Sequence, residues 1–162
     1  MPSRAASRAA AGTRVADLLA ALSGAFDRKG WHGPSVLEAL RGVTAREASQ
    51  RPSGVHHSIH QLVDHIRYWE EAGLRYASER GKPRRTRRDW GLPETPFGES
   101  LRRLKATHAR LLQAVSALED AQLERSIGTW DSGRLPLHRV LHGVAAHDAY
   151  HAGQIRLIRT LL

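Results

Sequence analysis

Four long segments of this chain carry apolar residues every three or four positions, and no segment alternates apolar with polar residues as a half-buried strand does. That periodicity confines the chain to helices that each bury one stripe. The clearest case is the last segment. At about 100° per residue, Leu137, Val140, Leu141, Val144, Ile155, Ile158 and Leu162 fall on one face. His151 lies near the middle of this stripe and His147 on its edge, whereas His138 and His142 point the opposite way, toward water.

The other segments follow the same rule. A first helix is expected from Thr13, with Val15, Leu18, Leu19, Leu22 and Phe26 at helical spacing and Gly30 closing it. After the turn Trp31 to Ser35, Ser35 caps a short helix bearing Val36, Leu37 and Leu40, and Thr44 with Glu47 has the form of a capping box. Ser58 and Gln61 form the same device at the start of the second long helix, whose face is Ile59, Leu62, Val63, Ile66, Trp69 and Gly73, with His65 on its edge. The third runs from Phe97 to Leu118 and includes His108 in its stripe. Residues 81–96 and 128–136 read as loops. Residues 1–12, rich in Ala, Arg and Ser, read as a flexible arm, and residues 13–162 as one domain. The fold class expected is all-α, a helical bundle.

Composition removes several kinds of chemistry. The chain has no cysteine, which excludes disulfides, zinc–thiolate sites and thiol nucleophiles, so any metal must be held by His, Asp or Glu. No apolar run reaches membrane-spanning length and no signal-peptide core follows the start, so the expectation is a soluble, cytoplasmic chain with no membrane partner. The formal charge of +9 raises the question of nucleic acid. The basic residues are scattered except for Arg80, Lys82, Arg84, Arg85, Arg87 and Arg88. Gly81 and Pro83 make that cluster a loop, and neither a nucleic-acid-binding motif nor interleaved aromatics accompany it. A solvated basic loop is therefore the preferred reading, and nucleic acid is not expected as a partner.

The histidines are the residues with chemistry to offer. Ten histidines placed at random in 162 residues give about 0.6 pairs at four-residue spacing. Three occur: His56/His60, His138/His142 and His147/His151. His147 and His151 alone lie on the apolar side of a helix, where they can grip one metal ion. A core-facing histidine needs a partner, which is either a metal or, more simply, an Asp or a backbone carbonyl. A third inward histidine from another helix would favour metal, and His65 and His108 are the candidates. Three imidazoles leave coordination positions open, as catalytic sites do. Zinc suits imidazole best; nickel, copper, iron and manganese are compatible. Asp148 faces the core side and is read either as a base on a bound water or as a group that orients a ligand histidine, against the plainer reading of a salt bridge to an Arg.

Two segments, Ser58 to Glu71 (SIHQLVDHIRYWEE) and His147 to Ile155 (HDAYHAGQI), resemble the signature segments of the DinB/YfiT-like superfamily, and Trp31 to Leu40 (WHGPSVLEAL) is similar to the segment that often precedes them. The resemblance implies a four-helix bundle with one long crossover connection and a divalent metal on three histidines, which fall on His65, His147 and His151. His108 has no counterpart among them and becomes a core or surface residue. The Arg-rich loop from Arg80 to Arg88 departs from the pattern. The resemblance also implies a choice of activities: transferases that use a low-molecular-weight thiol, or metal-dependent hydrolases.

The leading expectation is an enzyme that activates a small thiol or a water to attack a small electrophile lodged near Trp31, His32 and Trp69. The alternatives are a binding or stress-response module with a structural metal, and an anionic-surface binder using the Arg loop. A homodimer is compatible with all of them.

Overall fold

The computed structural model describes residues 13–28, 30–78, 87–129 and 133–162. The N-terminal arm and Arg80 to Arg85 of the basic loop lie outside the described residues. Helix α1 spans Thr13–Phe26, α2 Val36–Ala39, α3 Ala45–Ser49, α4 Ile59–Ala77, α5 Phe97–Ser116 and α6 Leu137–Thr160. Two 3₁₀ turns, Arg87–Trp90 and Asp120–Glu124, and a two-stranded ribbon, β1 (Ser126–Gly128) with β2 (Arg134–Pro136), complete the described structure.

Three helix starts are set locally. Ser35, Thr44 and Ser58 each accept from the backbone N–H three residues on, while Glu38, Glu47 and Gln61 reach back to the cap's own N–H, so all three expected capping boxes form. Helix α1 stops at Phe26, short of Gly30, because the N–H groups of Asp27 and Arg28 both turn back to the Ser23 carbonyl. The segment read as a loop from 128 begins and ends in the ribbon, in which Ile127 faces Leu135. Strands of three residues are too short to show alternation in sequence. Gly133, at φ +67°, closes that ribbon in a left-handed conformation that glycine adopts without strain.

The four long helices form a bundle. Helix α4 packs on α5 and α6, and α1 packs on α6 and α5, so α1 and α4 stand diagonally. The connection 27–58 therefore crosses the bundle, carrying α2 against α6 and α3 against α4 and α5. No helix among the described residues is long and apolar enough to cross a membrane.

The core is split along the bundle axis. One apolar cluster joins Leu18 and Leu22 to Leu74, Leu111, Leu137 and Leu141; the other joins Phe26 and Val36 to Ile59, Ile66, Leu104 and Ile155. Between them α4, α5 and α6 turn polar on their inner faces. Helix α4 offers His65 and Glu70, α5 offers His108, and α6 offers Asp148 and His151, all buried, with His147 half-buried beside them. Placing six polar side chains at mid-bundle costs stability that leucines there would supply.

Candidate metal centre

Helices α4 and α6 are neighbours, and their packing brings His65 against the His147/His151 pair. Nε2 of His147 lies 3.0 Å from Nε2 of His65 and 3.0 Å from Nε2 of His151. One nitrogen from each ring lies within 4.8 Å of the others, so the group can hold a metal ion.

The opposite ring edges explain which nitrogens face inward. His65 Nδ1 donates to the Asp89 carbonyl at 3.0 Å and sits 2.7 Å from the Asp89 carboxylate. His151 Nδ1 donates to Gln154 Oε1 at 2.7 Å. Acceptors at Nδ1 select the tautomer with a lone pair on Nε2, so two lone pairs converge on the same point. A proton on His147 Nε2 could satisfy only one of them. A cation satisfies all three, and with bonds of about 2.0–2.1 Å, donors 3.0 Å apart subtend roughly 95° at a shared ion, a reasonable ligand angle. The residues therefore fit a divalent ion.

Burial prepares the rings. Removal from water lowers the His147 pKa to about 4, with Asp89 opposing the shift. Burial, reinforced by the neighbouring His147 and His65, lowers that of His151 to about 3. His65 is also lowered by burial, against the opposing hydrogen bond from Asp89. All three are neutral near pH 7, the form that binds metal.

The 3₁₀ turn at residues 87–90 closes one side. Asp89 Oδ1 accepts from Trp69 Nε1 at 3.1 Å, and the Trp90 ring stacks 3.5 Å from His65, with His57 stacked 3.8 Å from Trp90. On the other side a cavity of about 260 Å³ opens beside His147, walled by Trp69, Ala72, Gly73, Tyr76, Val140, Gly143 and Val144. Its lining is almost wholly apolar.

Of the residues singled out in the sequence, His65, His147 and His151 meet, and Trp69 borders their cavity. Trp31 and His32 do not join them. They line a different groove with Ala20, Gly24 and His142 between α1 and α6, and Trp31 is 98% exposed. His142 is exposed as expected, but His138 is half-buried, 3.9 Å from Glu124. His108 is a core residue, stacked 3.7 Å on Phe26 with its Nδ1 2.5 Å from Glu70 Oε1. Asp148 is paired with no Arg among the described residues. It is fully buried, 3.9 Å from His147 Nδ1, and grouped with Glu70 and His108.

Asp89, Gln154, Trp90 and Glu70 are absent from the sequence reading. Gln154 carries a signal in retrospect, since it lies three residues after His151 on the same helix face. Asp89 carries none: it is 24 residues from His65, behind two arginines.

Comparison with curated proteins finds no match. The family model of the DinB superfamily matches residues 31–155. That span takes in His65, His147 and His151 and most of the crossing connection, so the chain belongs to the DinB superfamily.

Proposed function

We propose that this protein is a metal-dependent enzyme that transfers a small thiol to an electrophile with an apolar body. The convergence of three Nε2 atoms, two of them with their tautomer fixed from behind, is the observation that supports the reading most. His65, His147 and His151 would hold a divalent ion, with zinc the best match to an all-imidazole donor set. When bound, that ion supplies the acidity that keeps a thiol deprotonated at neutral pH.

The chain's own residues supply the rest. Asp89 and Gln154 orient two of the rings, and Trp90 shields His65 from solvent. The cavity beside His147 receives the second reactant, and its apolar walls select a substrate with little charge. The lack of cysteine means the thiol comes from outside the chain.

A hydrolase is the second reading, and Asp148 is what counts against it. Burial holds its carboxyl well above the usual range, against the opposing hydrogen bond with Glu70. A fully buried acid, grouped with Glu70 and His108 behind the rings, is poorly placed as a base for a water at their open side.

Cobalt substitution tests the proposal. Adding 2-mercaptoethanol to the cobalt form should produce a thiolate-to-metal charge-transfer band, and His151→Ala should abolish it. An unchanged visible spectrum at saturating thiol would contradict the transferase reading and leave hydrolysis the better account.

A further inference from the structure

The polar layer at mid-bundle contains a second cluster for which the thiol chemistry has no use. Glu70 on α4, His108 on α5 and Asp148 on α6 are 0%, 3% and 0% exposed. One ligand-type atom from each lies within 4.8 Å of the others. Glu70 Oε1 is 2.5 Å from His108 Nδ1, whereas Glu70 Oε2 and both Asp148 oxygens meet no N–H or hydroxyl donor and have only each other's carboxyl group for a partner. Two carboxyls in an apolar interior need something to neutralise them, because an unpaired buried charge is strongly unfavourable and an unpartnered buried oxygen only less so. No arginine or lysine among the described residues is paired with them. The basic groups in reach are the His108 ring and His147, whose Nδ1 is 3.9 Å from Asp148, and burial drives the pKa of both down to about 4.

We propose that Glu70, His108 and Asp148 form a second, inner site for a divalent transition-metal ion, distinct from the three-histidine cluster. Two carboxylates and a neutral imidazole balance a 2+ charge, and the three ligands come from three different helices, the usual way a bundle interior builds a metal site. The donor set, two oxygens and one nitrogen, is harder than three imidazoles, so manganese or iron should compete better here than at the outer cluster. The site lies directly behind the first: Asp148 Oδ1 is 3.9 Å from His147 Nδ1. An ion there ties α4, α5 and α6 together at the level where the two apolar clusters separate. With its residues almost fully buried, it would have a structural role rather than meet substrate.

The test is metal stoichiometry. Untagged protein is refolded with zinc, or separately with manganese, so that a buried site can load, then passed over a weak chelator and analysed for metal. The wild type should retain two equivalents of zinc. Glu70→Gln and Asp148→Asn should each retain one, which also shows that the bundle has formed, and His151→Ala should retain the inner one. Manganese should be lost from the outer cluster first. A wild type that holds one equivalent, with Glu70→Gln and Asp148→Asn unchanged from it, overturns the inner site and makes the cluster an acid pair sharing a proton. That failure leaves the outer site standing. Failure of the outer site reads differently, as wild type and His151→Ala holding the same amount.

Discussion

His65 and His151 are each gripped at Nδ1, by Asp89 and Gln154, while His147 has no partner there. Metal affinity should therefore depend on residues that never touch the ion. Asp89→Ala should weaken zinc binding about 10–100-fold, with the helical circular dichroism unchanged. Asp89→Asn should recover part of the loss, since its side-chain carbonyl oxygen can still accept from Trp69 and His65. Competition against a chromophoric chelator measures both, and equal affinity in all three proteins would contradict the orienting role. At this scale the sequence carries the ligands better than their supports. The four-residue spacing and the apolar stripe isolate His147 and His151, and the match of Ser58 to Glu71 to a family segment selects His65 over His108. Asp89 comes from a distant turn, and no periodicity links it to the histidine it holds. Trp31 and His32 were expected beside the substrate with Trp69, but the direction in which a turn leaves a helix is not written in spacing.

Three of the helix starts were legible because each is a local device. Ser35, Thr44 and Ser58 cap through contacts within three residues, which depend on no tertiary partner. Ser58→Ala should cost about 1 kcal/mol of stability, readable from the urea midpoint, because it frees an N–H at the start of the helix that carries His65. The ribbon at 126–136 and the 3₁₀ turn at 87–90 escaped notice because three or four residues are too few for a period to show. The cavity beside His147 depends on small residues where α4 and α6 approach. A side chain added at Gly143 meets no atom within 4 Å of its Cβ, so it enters open space. Gly143→Leu should therefore leave zinc binding intact and raise KM for an apolar electrophile at least tenfold, or abolish turnover. Unaltered kinetics would place the substrate elsewhere.

For the whole molecule, the divided core makes stability depend on pH in both directions. In metal-free protein His147 and His108 have pKa values of about 4 and His151 of about 3, against about 6.5 in an unfolded chain. Unfolding then takes up protons as pH falls below about 6.5, so this stability is present above that value and is lost progressively toward pH 4. Glu70 and Asp148 act oppositely: the folded state keeps protons that the unfolded chain releases above about pH 4, so their contribution falls as pH rises through the raised values. The histidines outnumber the carboxyls, so metal-free stability should rise from pH 5 to a maximum near about 6.5 and decline beyond it. Denaturant midpoints at pH 5, 6.5 and 8 check this, and a monotonic rise to pH 8 would contradict it.

The central claim is that His65, His147 and His151 together hold one divalent ion, and metal analysis tests it most directly. Untagged wild type, His65→Ala, His147→Ala and His151→Ala are equilibrated with zinc, freed of loose metal and analysed side by side. Each variant should hold one equivalent less than the wild type, whatever the inner cluster contains. Variants that match the wild type, or a wild type that retains no zinc, would contradict the account.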